Sequence, residues 1–129
     1  MEIFLGKNLK VEANHKNFMI KTDQPDKAGG DNEAPSPFDL FLASIGTCAG
    51  FYVKSFCQQR KIPESNIKLT LNTHRDSKTG MINKIDIDVF LPSDFPAKYK
   101  EAVIKATQQC SVKKHIFDPP EFNMNAHIG

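Results

Sequence analysis

One long apolar segment, residues 38–56, constrains the fold of this chain more than any other feature. It follows the sequence SPFD at positions 36–39. There Ser36 and Asp39 form an S-x-x-D capping box, and the proline suits the first helical position. The pattern predicts a helix that begins at this box and ends near Arg60. Apolar side chains occupy nearly every side of it, which predicts a buried helix that a second subunit helps to cover.

The rest of the chain predicts an α+β fold within a single domain, residues 1–129. Three extended segments with turn-like connections precede the long helix and predict a β-meander: Glu2–Leu5, Leu9–Asn14 and Asn17–Lys21. Alternating and helical patterns after it predict a β-hairpin, a second helix and a C-terminal strand: Ile67–Thr73 with Met81–Phe90, then Pro96–Gln109, then Phe122–Ile128.

Charge and composition narrow the class of protein. Seventeen lysines and arginines nearly balance fifteen aspartates and glutamates, and no dense basic run favours nucleic acid or an anionic membrane as a partner. The first ten residues lack the apolar core of a secretory signal, and we expect no segment apolar enough to span a membrane. Three cysteines are an odd, sparse set for a disulfide-stapled secreted protein. These features predict a cytoplasmic protein with reduced thiols.

Cys48 lies within the long helix, between Gly46 and Gly50. Each glycine inside a helix costs about 1 kcal/mol relative to alanine. Two of them beside a cysteine therefore predict close approach of another backbone, or entry of a substrate beside the sulfur. Packing around an inert buried thiol is an equally good interpretation. Cys57 lies nine residues further on, points to the opposite side of the helix, and is predicted to be a packing residue.

Cys110 ends the predicted second helix and opens the next turn. If that turn is helical, its N-terminus favours a thiolate at Cys110, and the nearby basic residues at positions 113–115 add positive charge. The alternative is a buried cysteine at a helix junction with solvated lysines. A metal site formed by Cys48, Cys110 and a histidine is a weaker possibility, because no C-x-x-C or H-x-x-x-H spacing accompanies it. We expect no cofactor.

The sequence SPFDLFLASIGTC at residues 36–48, followed by QQCSV at residues 108–112, closely resembles the OsmC/Ohr family. These are the osmotically induced and organic-hydroperoxide-resistance proteins, and the general OsmC-like branch is the better match. The resemblance implies an intertwined homodimer with two long central helices between curved sheets and active sites at the subunit interface. It also implies that Cys48 attacks a hydroperoxide and Cys110 resolves the sulfenic acid as a disulfide. An external dithiol then reduces that disulfide.

The first functional hypothesis is therefore a thiol-dependent peroxidase for small organic hydroperoxides, part of an oxidative stress response. Its redox-active residues are Cys48 and Cys110, and its substrate pocket is walled in part by three aromatic residues, Phe38, Phe41 and Phe51.

The second hypothesis is a non-peroxidatic OsmC-like dimer that binds a small ligand in the same interfacial pocket. Two departures from the family pattern favour it. Family peroxidases hold the thiolate with an N-terminal arginine, whereas the arginines here are Arg60 and Arg75. They also place a glutamate ten residues before the first cysteine, where this chain has Phe38, with Asp39 beside it as a weak catalytic candidate.

Overall fold

The computed structural model describes residues 1–129, and their contacts divide the chain into two units, Met1–Ser44 and Ile45–Gly129. Five strands and three α-helices follow one another along the chain: β1 (Glu2–Leu5), β2 (Val11–His15), β3 (Phe18–Thr22), α1 (Pro37–Gln59), β4 (Lys68–Arg75), β5 (Ile82–Phe90), α2 (Lys100–Thr107) and α3 (Ser111–Phe117). Single 3₁₀ turns lie at Asp26–Ala28 and Ala97–Tyr99. This order confirms the predicted α+β class.

The first three strands form the predicted meander, an antiparallel sheet in the order β1-β2-β3. Ile3 faces Ala13, which in turn faces Ile20. Lys16 and Asn17 both have positive φ angles, 49° and 66°. That geometry belongs to a two-residue hairpin turn, which matches the twist of the strands it joins. The turn therefore fixes the register of β2 against β3.

The loop after β3 is organised around the buried carboxylate of Asp23. This carboxylate accepts hydrogen bonds from the backbone N–H groups of Gln24 and Glu33, at 2.8 and 3.1 Å. The Lys10 ammonium lies 3.6 Å from Asp23 and also pairs with Asp31 and Glu33. A buried carboxylate needs such partners, because an unpaired one would cost a large desolvation free energy. We call these residues (Lys10, Asp23, Asp31 and Glu33) the loop clasp.

The predicted capping box starts α1. The Ser36 hydroxyl accepts a hydrogen bond from the Asp39 backbone N–H at 3.1 Å, and the Asp39 carboxylate accepts one from the Ser36 backbone N–H at 3.0 Å. The helix ends at Gln59, where Lys61 takes a positive φ of 55° and the Ile62 backbone N–H reaches the Cys57 carbonyl. A left-handed residue closing a helix in this way satisfies carbonyls that would otherwise lack partners.

Burial along α1 follows one side of the helix. The buried residues are Ile45, Ala49, Val53, Phe56 and Cys57. In contrast, the side chains of Phe38, Phe41 and Phe51 are 46%, 41% and 61% exposed. The single chain therefore leaves part of this 23-residue helix uncovered. Burial on all sides with the help of a second subunit stays a prediction.

By length and composition alone, α1 is also long and apolar enough to cross a membrane. The expectation that no segment is apolar enough to span a membrane is therefore wrong by composition. Serine, glycine and threonine interrupt the apolar residues of α1, but they add no charge, so the helix as a whole remains apolar. A core helix of a water-soluble protein meets the same criterion, so the feature is weak evidence for a membrane span.

The hairpin and α2 build the core of the second unit. β4 and β5 pair antiparallel, with Leu69 opposite Val89 and Leu71 opposite Ile87. Their apolar face packs, through Leu69 and Val89 among others, on a cluster of six buried residues: Val53, Phe56, Cys57, Ile62, Phe95 and Val103. Cys57 is thus a packing residue, as the sequence predicted. Burial raises the pKa of its thiol, and the Glu64 carboxylate adds to the effect.

Two elements near the C-terminus differ from the sequence prediction. The second helix is shorter than expected, because a 3₁₀ turn at Ala97–Tyr99 precedes α2 and the helix proper ends at Thr107. The predicted strand Phe122–Ile128 has no regular structure, and all of its residues are exposed. An alternating pattern forms a strand only against the edge of another strand, and no edge of this chain pairs with that segment.

Candidate active site

The chain turns into α3 at Cys110, whose side chain caps the helix. The buried Cys110 sulfur accepts a hydrogen bond from the Lys113 backbone N–H at 3.5 Å. The turn after Cys110 is thus helical, as predicted. The first N–H groups of a helix have no partners within the helix, so they are available to a neighbouring acceptor.

Cys48 is the acceptor for the first N–H groups of α3. It lies on α1 one turn after the buried Ile45, and its side chain is partly exposed. The Cys48 sulfur accepts hydrogen bonds from the backbone N–H groups of Val112 and Ser111 and from the thiol of Cys110. The two cysteines, 62 positions apart in the numbering of the chain, are therefore side-chain neighbours.

Opposing effects act on the pKa of the Cys48 thiol. Burial is the largest single effect and raises the pKa, because it disfavours the charged thiolate. The hydrogen bonds from Val112, Cys110 and Ser111 and the positive charge of Lys113 act in the other direction and together outweigh burial. The pKa of Cys48 is thus held below its ordinary value, which is the condition for a reactive cysteine at neutral pH.

The pKa of Cys110 moves in the opposite direction. Burial raises it first, and the hydrogen bond and negative charge of the Cys48 thiolate raise it further, although Lys113 and Val112 N–H groups partly oppose this. The prediction that the N-terminus of α3 favours a thiolate at Cys110 is therefore wrong. The N–H groups of residues 111 and 112 lower the pKa of Cys48, so Cys48 is the more acidic thiol of the pair.

The three basic residues after Cys110 have separate environments. Lys113 supplies the charge that lowers the pKa of Cys48. Lys114 reaches the Gln109 side-chain oxygen at 3.5 Å, and the His115 Nδ1 atom lies 2.6 Å from the Ser111 carbonyl oxygen. One lysine of the cluster thus acts on the candidate site. The structure gathers no group of three histidine, cysteine or acidic side chains that could hold a metal ion.

The glycines beside Cys48 do not meet another backbone within this chain. A Cβ atom added at Gly46 would lie 3.7 Å from Leu71 Cδ1, an ordinary van der Waals contact, and one at Gly50 would meet nothing within 4 Å. The expected close approach of a backbone is thus wrong for the single chain. Gly50 leaves open space one half-turn from the sulfur.

A cavity of about 570 Å³ lies between β5 and α3, on the Lys113 side of the site. Its walls are mainly apolar and include Ile45, Ile85, Ile87, Ile116 and Phe117, with Lys113 among the polar groups. Sequence reasoning missed this cavity. A signal was present in the isoleucines on one face of β5, but only folding brings them beside the helix that carries Cys48.

The other predicted site residues lie apart from this cavity. The carboxylate of Asp39 belongs to the α1 capping box, whose hydrogen bonds hold the pKa of Asp39 below its usual value. The ring centres of Phe38 and Phe41 are 5.4 Å apart. Phe51 packs edge-on against Tyr52, with ring centres 5.1 Å apart. All three phenylalanines remain largely exposed, so a pocket that they wall requires a second chain.

A family model described as OsmC-like protein matches residues 30–125, which include α1, both cysteines of the site and α3. The chain belongs to the OsmC-like family. The predicted family resemblance is thereby confirmed. No functionally curated protein matches the sequence.

Solved structures share the OsmC-like fold over most of their length. A Psychrobacter arcticus 273-4 protein named for osmotic stress induction and detoxification response has a TM-score of 0.74 and 20% identity, over 88% of this chain and 84% of its own. A hypothetical protein of Aquifex aeolicus VF5 has a TM-score of 0.71 and 21% identity, over 92% of this chain and 86% of its own. The organic hydroperoxide resistance protein OhrB of Bacillus subtilis has a TM-score of 0.52 and 18% identity, over 88% of this chain and 87% of its own.

Proposed function

We propose that this OsmC-like protein is a thiol-dependent peroxidase that reduces small organic hydroperoxides. One observation carries the proposal: Cys48, with its pKa lowered, receives hydrogen bonds from two amides of α3 and from the thiol of Cys110. A nucleophilic sulfur with a second thiol in contact is the arrangement that two-cysteine peroxide reduction requires. A structural relative, OhrB, is named for organic hydroperoxide resistance.

The reaction proceeds in three steps. The Cys48 thiolate attacks the terminal oxygen of the hydroperoxide, the O–O bond breaks, and the leaving alkoxide takes a proton and departs as the alcohol. Cys48 is then a sulfenic acid. The Cys110 sulfur attacks it, an S–S bond forms, and the hydroxyl group leaves with the Cys110 proton as water. An external dithiol reduces the disulfide by exchange.

The apolar cavity beside α3 is the proposed binding site for the organic group of the hydroperoxide. Its isoleucines exclude water from the alkyl chain, and Ile45 continues the surface of α1 toward Cys48. We propose that a homodimer completes this site, with the exposed aromatic residues of α1 at the interface, and that the protein works in the cytoplasm.

The test exposes reduced protein briefly to one equivalent of cumene hydroperoxide, followed by intact-mass measurement and peptide mapping. We expect a Cys48–Cys110 disulfide, with Cys57 left free. Cys48→Ser should abolish peroxide consumption, whereas Cys57→Ser, the matched control, should retain it. Thiols that stay unmodified at this dose, or equal peroxide consumption by Cys48→Ser, would contradict the proposal.

A second candidate function is a ligand-binding OsmC-like dimer without peroxidase activity. The positions of the arginines favour it: Arg60 stacks on Phe56 at 3.8 Å, and Arg75 donates a hydrogen bond to the Gly80 carbonyl in the β4–β5 hairpin. Neither substitutes for the arginine that holds the thiolate in family peroxidases. This function predicts a Cys48 pKa near 8.5, the value of an unperturbed cysteine, and no reaction with peroxide.

A further inference from the structure

A second cavity, of about 330 Å³, lies at the C-terminal end of α1. The chain that follows α1 forms one wall, and the segment 92–99 before α2 forms another. Three of its lining side chains are cationic, namely Arg60, Lys61 and Lys98, and one is a carboxylate, Asp94. The size falls within the range of small-ligand sites. Neither Cys48 nor Cys110 lines it.

The Arg60 guanidinium is held in a fixed plane. It stacks on the Phe56 ring at 3.8 Å and lies 5.6 Å from the centre of the Tyr99 ring. Its Nη1 atom donates a hydrogen bond to the Phe56 carbonyl at 3.3 Å. A guanidinium has five N–H donors, so most of them remain available, and stacking has already restricted the motion of the side chain.

Two lysines complete a positive surface around this guanidinium. The Lys98 ammonium lies 4.9 Å from the centre of the Tyr99 ring, and Lys61 is held in the left-handed conformation that ends α1. None of the three cations forms an ion pair, and Asp94 forms none either, since the ion pairs of the structure join other residues. The formal charge of these four side chains is +2, so the cavity complements a dianion.

We propose that this cavity binds a small phosphate ester. A phosphate dianion matches the local charge. The fixed guanidinium can pair with two phosphate oxygens, because it forms no ion pair with Asp94 or with any other carboxylate. Ser65 and Asn66, which also line the cavity, supply neutral hydrogen-bonding groups for the ester's hydroxyls. The site is independent of the thiol chemistry proposed above.

The test uses ribose 5-phosphate as the probe and calorimetric titration of the full chain at fixed ionic strength, with ribose as the uncharged comparison. We expect saturable binding of ribose 5-phosphate and none of ribose. Arg60→Gln and Lys98→Gln should each weaken binding about tenfold. The matched control is Lys105→Gln, which removes the same charge from an exposed position on α2 outside the cavity.

Because Arg60 packs on Phe56, its variant needs a thermal unfolding measurement, while Lys98→Gln tests the site without disturbing that stacking. No saturable binding at 10 mM ribose 5-phosphate, on the order of the weakest specific complexes, would overturn the proposal. An equal loss of affinity in Lys105→Gln and in Lys98→Gln would also overturn it, because the probe would then be attracted by the surface charge in general and not by the cavity. Neither result bears on the reaction of Cys48 with peroxide.

Discussion

Cys48 and Cys110 illustrate how two identical side chains acquire different chemistry. Cys110 is buried and Cys48 is partly exposed, and burial raises the pKa of each. Cys48 differs because the amides of residues 111 and 112 point at its sulfur and stabilise the charged form. Two backbone amides, the thiol of Cys110 and the charge of Lys113 thus lower the pKa of Cys48 against the effect of burial.

The first prediction concerns the charge of Lys113. Lys113→Gln removes a positive charge near the Cys48 sulfur, which raises the pKa of Cys48 and lowers its thiolate fraction at pH 7. We expect alkylation of Cys48 by iodoacetamide to slow about threefold, as measured by peptide mapping. At a pH well above the pKa, the rates of variant and wild type should converge.

Lys114→Gln is the control for this experiment, because it removes the same charge one residue further along α3 and should leave the rate unchanged. A variant that stays slower than wild type at every pH would show that Lys113 acts on the structure of the site and not on ionisation.

The second prediction compares the three cysteines in one protein. The pKa of Cys48 is lowered, whereas burial raises that of Cys57 and burial with the Cys48 thiolate raises that of Cys110. Alkylation as a function of pH should therefore show its midpoint at lower pH for Cys48 than for the other two. An equal midpoint for Cys48 and Cys57 would remove the basis for a reactive Cys48.

Among the elements, the loop after β3 is the one whose conformation depends most on charged side chains. Lys10 comes from the chain just before β2, and the three carboxylates of the loop clasp come from residues 23–33. Gly30 adds a steric requirement, since a Cβ there would lie 1.9 Å from the Gln24 carbonyl oxygen. The loop therefore has one conformation, defined by one buried carboxylate and one close backbone approach.

The third prediction tests the loop clasp. Asp23→Asn replaces an acceptor of backbone N–H bonds by a group that places an NH₂ donor against other donors. We expect trypsin to cleave after the exposed Lys27 about tenfold faster in this variant, because local opening of the loop becomes more frequent. Asp26→Asn, in the same loop but outside the clasp, should behave as wild type.

The clasp also predicts a dependence of stability on pH. The pKa values of Asp23 and Asp31 are lowered: burial opposes this at Asp23, where amide hydrogen bonds outweigh it, and Lys10 is the main cause at Asp31. Carboxylates with lowered pKa values stabilise the native state above their ordinary pKa of 3.8 and lose that effect as the pH falls through the native values. The thermal midpoint should fall below about pH 4, and Asp23→Asn should show a smaller fall.

At the scale of the whole molecule, α1 leaves large apolar side chains uncovered in one chain. Phe51 is 61% exposed, and the sheet of β1–β3 exposes further apolar residues, including Ile3 and Phe18. Apolar surface of this extent is typical of an interface. The proposed homodimer would bury it, and it would also give a reason for the open space at Gly50.

The fourth prediction tests this interface. Phe51→Glu places a charge on the exposed side of α1 and should shift the protein from dimer to monomer in light scattering coupled to size-exclusion chromatography. Met81→Glu is the matched control: Met81 is 69% exposed in the loop between β4 and β5, and its variant should remain dimeric. A wild-type monomer at micromolar concentration would contradict the proposal.

Local signals in the sequence determined most of the elements. The capping box at Ser36 and Asp39 defined the start of α1, and alternation defined β4 and β5, because both signals act over a few neighbouring residues. The family pattern around Cys48 and Cys110 indicated the pair of thiols. The segment Phe122–Ile128 had the same kind of alternation, and the prediction was wrong there, since a strand also needs a partner edge that local pattern does not reveal.

Only the tertiary structure decided which cysteine is activated and what surrounds it. The ionisation of Cys48 depends on amides more than sixty positions away in the chain, and their direction is set by the packing of α3. The apolar cavity likewise joins β5 to α3, and the cationic cavity joins the end of α1 to residues 92–99. The sequence determines local backbone preferences and the periodic pattern of apolar residues. The pKa of a side chain depends on distances and orientations that exist only after folding.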